Sequence, residues 1–283
     1  MRFLAIGDFH GKIPRNLKNF VEEEKIDFII CLGDLGEDLE MTNLIFRHWM
    51  KRRWYEVVGI KKANKLLRKC FSSAIKILKF FNSFDIPVYL IFGNGDLYEM
   101  KGKRPKYRKF RIKTPSYEVF VKKFQNLIFI HKRMIKIKNL NIVGHGGYVD
   151  PTIYLNQKIL KENKEDYLER KERYNRTRKE INSIFKKNPG KFIFVTHYPP
   201  FGKLDLIGNK KSPLYKKHAG LQTYSQIDRK YQPLLHIFGH MHENQGIEKI
   251  GKTLVVNPGY GRTGECALID LNDSKINVKF LKL

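Results

Sequence analysis

Five short stretches of the chain carry side chains able to hold a cation: Asp8 and His10 in GDFHG, Asp34 in GDL, Asn94 and Asp96 in GNGD, His197 in THYPP, and His240 with His242 in GHMH. Alone, an Asp-x-His or a His-x-His serves as a polar turn as readily as a ligand pair. Asn94-Gly95, within LIFGNGDL, is by itself the signature of a two-residue hairpin turn, because both residue types tolerate positive φ. Five such stretches in one chain point instead to a shared site. Carboxylates, imidazoles and a carboxamide without any thiolate suit Mn²⁺, Fe²⁺ or Zn²⁺. Two such cations about 3.5–4 Å apart, joined by a bridging carboxylate, can clamp both oxygens of an in-line displacement at phosphorus and turn a shared water into hydroxide near neutral pH. Glycines before Asp34, Asn94 and His240 let the backbone turn tightly beside the ions.

The elements that must position these residues follow from the apolar pattern. Residues 2–6, 28–32, 87–92, 127–130, 140–143, 192–196, 234–238, 253–256 and 266–269 predict short buried strands, and the five stretches lie at strand exits. In an open α/β sheet, ligands bind in the crevice beyond the carboxyl ends of the strands, so residues distant in sequence can meet there. Between strands, Ala63, Leu66, Leu67, Cys70, Ala74, Ile77, Leu78 and Phe81 have the spacing of an amphipathic helix over 61–81. Residues 156–187 also have a helical pattern, mostly charged, with a narrow seam of Leu160, Tyr167, Tyr174 and Ile181 that could meet a partner. No repeat and no Gly/Ser- or Pro-rich linker divides the chain. One domain spanning 1–283 is expected, with a basic insertion around 98–118 and a charged helical insertion around 154–187.

Composition bounds the function classes. With 42% hydrophobic residues, a chain of 283 can bury a substantial core. Cys31, Cys70 and Cys266 are far apart, odd in number and without a CxxC, which excludes a disulfide framework or zinc ribbon and fits a reducing cytoplasm. Asp8 interrupts the N-terminal apolar run too early for a signal-peptide core, and no stretch approaches the roughly 18 apolar residues of a membrane span. The expectation is a soluble, cytoplasmic protein; its oligomeric state is not legible. A formal charge of +27, from 55 Lys and Arg against 28 Asp and Glu, favours polyanions through counterion release. A coding bias towards lysine produces the same excess, so both explanations stay open.

The ordered series Asp8-x-His10, Gly33-Asp34, Gly93-Asn94-x-Asp96, His197 and Gly239-His240-x-His242 resembles the calcineurin-like metallophosphoesterase superfamily across nearly the whole chain. THYPPFGKLD, KKHAG and QPLLHIFGHMHE are similar to the prokaryotic, largely archaeal, Icc-related predicted phosphoesterases. The resemblance implies a four-layer α/β/β/α sandwich and two divalent metal ions, manganese foremost, with iron, zinc or nickel as alternatives. It places Asp8, His10, Asp34 and His242 on the first ion and Asp34, Asn94, His197 and His240 on the second, Asp34 bridging. The implied reaction is hydrolysis of a phosphodiester, from a nucleotide or nucleic acid, by a bridging hydroxide. Asn257 to Gly259 resembles a structural turn near the end of such domains.

Gly95 departs from the pattern, since many members of the superfamily place there a histidine that contacts phosphate and is proposed as general acid. Its loss shifts the expectation from monoesters to diesters with good leaving groups, because a positioned acid contributes roughly 10²- to 10⁴-fold. Asp34, Asn94, His197 and His218 are the expected catalytic residues. His218, in YKKHAGLQTY, could fold over the crevice and, with His145 in VGHGGY, contact substrate. Asp96 either orients a ligand or caps a helix.

Residues 101–113, KGKRPKYRKFRIK, carry eight basic residues and no acidic one, with Tyr107 and Phe110 interleaved. That composition suits either a solvated insertion or a nucleic-acid contact. Two further function classes therefore stand beside the enzyme: an interaction scaffold, as in the retromer subunit of the superfamily, which also lacks the histidine, and a nucleic-acid-binding protein with vestigial metal sites.

Overall fold

The computed structural model describes residues 1–48, 54–96, 117–155, 157–162, 164–210, 212, 214–272 and 275–283; the basic segment 101–113 lies outside them. Two six-stranded sheets form the centre. The first has the order β12-β11-β1-β2-β3-β4, with β1 Arg2–Ile6, β2 Phe28–Cys31, β3 Val88–Leu90, β4 Leu127–Phe129, β11 Glu265–Asn272 and β12 Lys275–Lys282. The second has the order β5-β6-β7-β8-β10-β9, with β5 Arg133–Ile137, β6 Leu140–His145, β7 Phe192–Thr196, β8 Leu235–Phe238, β9 Gly246–Ile250 and β10 Thr253–Asn257. Strands β1 to β4 run parallel, as do β6, β7, β8 and β10, while β5, β9, β11 and β12 pair antiparallel.

Period-two alternation explains why two sheets pack here. Phe3, Ala5, Phe28, Ile30, Tyr89 and Ile91 of the first sheet face Ile142, Ile193, Val195, Leu235, Ile237 and Val256 of the second in one buried cluster. The intervening Leu4, Ile6, Ile29, Cys31, Val88 and Leu90 turn outward. They meet α1 (Leu17–Glu23), α3 (Trp54–Phe81) and α4 (Tyr117–Val121). On the far side, Val143, Phe192 and Phe194 meet α7 (Gln222–Tyr231) and Ile181 near the end of α6 (Lys164–Ile184). The result is the expected four-layer α/β/β/α sandwich. At about 25 cal/mol per Å² of apolar area, each fully buried aliphatic or aromatic side chain contributes about 1.5–3 kcal/mol, so the inter-sheet cluster and the cluster beneath α1, α3 and α4 both weigh heavily in stability.

Every apolar position named for the 61–81 helix is buried. The helix begins earlier, at Trp54, and Gly59 interrupts its helical path with φ 77° and ψ 161°. The charged 156–187 segment forms α5 (Gln157–Glu162) and α6. Its seam is used within the chain: Ile181 is buried, and Thr223 Oγ1 of α7 donates to the Tyr174 hydroxyl at 3.4 Å. Short α2 (Leu39–Arg47) starts at Asp38, whose carboxylate caps the Met41 N–H at 2.9 Å. No helix among the described residues is long and apolar enough to cross a membrane.

Candidate metal centre

The carboxyl ends of the parallel strands of both sheets open on one crevice. Asp8 and His10 follow β1, Asp34 follows β2, Asn94 follows β3, His197 follows β7, and His240 and His242 follow β8. Neither Asn94 nor Gly95 has a positive φ, and β3 pairs next with parallel β4, so the Asn-Gly pair makes no hairpin.

Two groups of donors form. Asp8, His10 and His242 offer atoms within 4.8 Å of one another, and so do Asp34, His197 and His240. In the first group, Asp8 Oδ1 lies 3.1 Å from His242 Nε2, which lies 3.3 Å from His10 Nε2. Asp34 joins the groups, because its Oδ2 is 3.8 Å from His10 Nε2 and 3.6 Å from His197 Nε2. A single oxygen facing imidazoles of both groups is the geometry a bridging carboxylate needs. Asn94 Oδ1 sits 2.8 Å from His197 Nε2 and so belongs to the second group. This donor set fits a dinuclear divalent centre of mixed oxygen and imidazole ligands.

The local fold aims these atoms. Asp8, His10, Asp34 and His240 all have left-handed backbone, with φ of 56°, 43°, 50° and 68°. For residues other than glycine that conformation costs about 1–2 kcal/mol each, and here tertiary structure imposes it. Two glycines make the necessary room. A Cβ on Gly93 would lie 2.0 Å from Asp34 Oδ1, and one on Gly239 would lie 2.3 Å from Asp8 Oδ2.

A second layer of contacts holds the ligands. The His197 Nδ1–H donates to the Leu32 carbonyl at 2.8 Å, which commits Nε2 to the crevice. The His240 N–H donates to Asp8 Oδ2 at 3.0 Å, and the Gly95 N–H to Asp34 Oδ1 at 2.7 Å. Asp96 is buried behind them and accepts three backbone N–H groups, from Asp34 at 2.8 Å, Leu35 at 2.9 Å and Gly93 at 2.7 Å. It therefore ties the exits of β2 and β3 together, the ligand-orienting role of the two weighed from sequence.

Electrostatics follow from packing two carboxylates among four imidazoles. Burial opposes charge on Asp34, but His197 and then His10 outweigh it and hold the carboxyl far below the usual carboxylate range. Burial likewise opposes a charged His197, yet Asp34 and then Asp8 lift its imidazole to about 9. His240 is pushed down to about 3 by burial and the neighbouring His197.

Several contributors carried no separate signal in the sequence. The Tyr260 ring stacks on His242, with centroids 4.1 Å apart and planes 14° apart. Arg262 Nη1 donates to the His10 carbonyl at 2.7 Å and pairs with Glu37. Tyr198, buried, packs on His240 with centroids 4.1 Å apart. Tyr260 and Arg262 lie just beyond the Asn257-Pro-Gly turn, where the only hint was the turn itself.

The two remaining predicted contacts, His145 and His218, lie outside the two donor groups. His145 ends β6 but is buried on the outer face of its sheet, its Nδ1 2.7 Å from the Tyr224 hydroxyl of α7. His218 lies in the loop before α7, its Nδ1 2.6 Å from Asp205 Oδ1 and its side chain 42% exposed.

Residues 1–281 match the family model described as metallophosphoesterase, calcineurin superfamily. Over 266 residues, covering 91% of this chain and 88% of the relative, the sequence is 25% identical to MJ1162 of Methanocaldococcus jannaschii. Human metallophosphoesterase domain-containing protein 1 is 37% identical over 65 residues, 23% of this chain and 19% of that protein. Two solved structures share the fold. A dimetal phosphatase from Danio rerio has a TM-score of 0.53 at 11% identity, covering 99% of this chain and 95% of its own. TT1561 of Thermus thermophilus has a TM-score of 0.52 at 15% identity, covering 98% of this chain and 97% of its own.

Proposed function

The chain belongs to the calcineurin superfamily of metallophosphoesterases, and from that premise we propose that it is a manganese-dependent phosphodiesterase acting on nucleotide or nucleic-acid diesters. The observation that carries the preference for diesters is Gly95. Its N–H is spent on Asp34 Oδ1, and it places no proton donor beside Asn94, so expulsion of a poor leaving group lacks an acid from that position. Asp8, His10, Asp34 and His242 would hold one cation and Asp34, Asn94, His197 and His240 the other. Two divalent ions bound there supply Lewis acidity and lower the pKa of water towards neutrality. The chain's own part is to fix the donors through left-handed backbone, to orient His197 through Leu32, and to hold Asp34 ionised between the two groups. A donor set of oxygens and imidazoles without thiolate supports manganese over softer metals.

His218 is the imidazole we place at the substrate, oriented by Asp205 and half exposed to the loop surface. His145 supports the sheet against α7 through the Tyr224 hydroxyl. The complete donor set favours an enzyme over a scaffold or a protein with vestigial sites. Manganese-loaded protein should hydrolyse bis(p-nitrophenyl) phosphate faster than p-nitrophenyl phosphate. Asp34→Ala and His197→Ala should each abolish turnover, whereas His218→Ala should raise KM. Preference for the monoester, or unchanged turnover in both ligand variants, overturns the proposal.

A further inference from the structure

Helix α3 carries a feature that its burial pattern hides. Its apolar face is fully used, with Ala63, Leu66, Leu67, Cys70, Ala74, Ile77 and Leu78 buried. On the opposite face, Lys61, Lys65, Arg68, Lys69 and Lys76 recur at helical spacing and line a groove of about 640 Å³ with Asn64, Ser72 and Ser73. Five cations and no acidic side chain line this groove among the described residues. Lys69 lies 3.8 Å from Asp38, and Lys69 and Lys65 add to Lys62 in lowering the Glu40 carboxyl, whereas Lys61, Arg68 and Lys76 have no ion-pair partner among the described residues.

The contrast with α6 separates a built surface from a general lysine excess. On α6, Arg170 pairs with Asp166, Arg173 with Glu169 and Arg176 with Glu172, so three of its arginines are answered one turn away. Over residues 57–81 the chain has seven lysines and arginines and no acid at all. The acids that meet this helix come from the start of α2, where Glu40 pairs with Lys62 at 2.6 Å and Asp38 lies 3.8 Å from Lys69, so the excess of positive charge remains.

One edge of the groove is also linked to the metal centre by hydrogen bonds. Ser73, in its lining, donates to the Glu37 carbonyl at 3.0 Å and accepts the Glu37 N–H at 2.9 Å. Glu37 pairs with Arg262, which donates to the carbonyl of His10. Through Ser73, Glu37 and Arg262, the flank of the groove near Lys76 is therefore tied to His10, a residue of the first donor group.

We infer that this groove binds the phosphate backbone of a single-stranded nucleic acid and leads it to the crevice. The inference rests on the phosphodiesterase proposal and names its substrate class. From Lys61 to Lys76 the helix rises about 22 Å, room for about six phosphates at a stacked spacing of about 3.4 Å. A charged track of this kind binds without reading sequence, and its affinity falls with salt.

The test measures binding of fluorescent dT12 to metal-free protein, so that no cleavage occurs, across a salt series. A quadruple variant, Lys61→Gln, Lys65→Gln, Arg68→Gln and Lys76→Gln, should bind at least tenfold more weakly at 0.1 M salt. Its slope of log K against log salt should be shallower by roughly 2–3, at about 0.7 for each phosphate that is no longer neutralised. A control with the same change in net charge, Lys249→Gln, Lys252→Gln, Lys279→Gln and Lys282→Gln, removes exposed lysines on and beside β9 and β12 and should retain wild-type binding. Equal losses in the two variants, or none in the groove variant, would overturn the inference. So would a polyphosphate of matched length that competes far better than unlabelled dT12. Hydrolysis of bis(p-nitrophenyl) phosphate by the groove variant, expected within twofold of wild type with Mn²⁺, is read separately: its absence in the wild type counts against the phosphodiesterase proposal and leaves the binding result standing.

Discussion

Replacing Asp96 by asparagine should loosen the centre without removing a single metal ligand. Asp96 Oδ2 accepts N–H groups from Asp34 and Gly93, and Oδ1 accepts one from Leu35. An asparagine oxygen can keep two of these bonds, and its NH₂ then faces the third donor. One buried N–H is orphaned, at about 1–3 kcal/mol; burial and then Asp34 push the Asp96 carboxyl up to about 7, so the two remaining bonds are only partly charge-assisted near neutral pH and their change adds about 1 kcal/mol at most. The sum is about 3 kcal/mol, against a typical total stability of about 5–15 kcal/mol, so the fold should survive. At roughly 2–4 °C per kcal/mol for a chain of this size, Tm should fall by about 6–12 °C. Since the lost bonds tether the turns presenting Asp34 and Asn94, Mn²⁺ affinity should fall about 10- to 100-fold, the usual consequence of removing a group that orients ligands. Calorimetric unfolding and Mn²⁺ titration of the same preparation read both quantities. An Asp96→Asn protein with wild-type Tm and wild-type metal affinity would refute the role given to Asp96.

Gly239→Ala puts a methyl 2.3 Å from Asp8 Oδ2, so it should cost about 1–3 kcal/mol and weaken the first site more than the second, measured by metal stoichiometry at limiting Mn²⁺. Gly95→His brings a Cβ to 3.3 Å from Asp34 Oδ1, a tight contact that requires the Asp34 side chain to give by a few tenths of an ångström. It should raise turnover of esters with poor leaving groups more than of activated ones, by up to about 10²-fold; equal or adverse effects count against the missing-acid account. Neutralising the basic residues of 101–113 should weaken binding to single-stranded DNA or RNA and flatten its salt dependence, and an unchanged salt response in fluorescence anisotropy argues against a role for that segment.

What was legible in the sequence follows a physical pattern. The buried parallel strands announced themselves as apolar runs because both their faces are covered, and the donors stood out because five of these runs, those of β1, β2, β3, β7 and β8, ended on one. The strands that gave no signal, β5, β9 and β12, are antiparallel edges whose alternate residues meet solvent, as in KINVKFLK, where no apolar run accumulates. His145 illustrates a different limit. Its place after a strand and among glycines was visible, but which face of the sheet it takes depends on register with β7, where it pairs with Thr196. Tyr260 and Arg262 were hidden because their partners, His242 and His10, lie elsewhere in sequence and meet them only through packing of the turn after β10.

The left-handed backbone at Asp8, His10, Asp34 and His240 sets stability and activity in opposition at the same positions. Glycine at any of them would relieve about 1 kcal/mol or more of strain and delete a donor. A lineage selected only for a robust fold would drift towards glycine there and lose its metals while keeping its sandwich. Each donor at these four positions therefore sets a local loss of stability against a metal ligand, the opposition typical of a strained functional site.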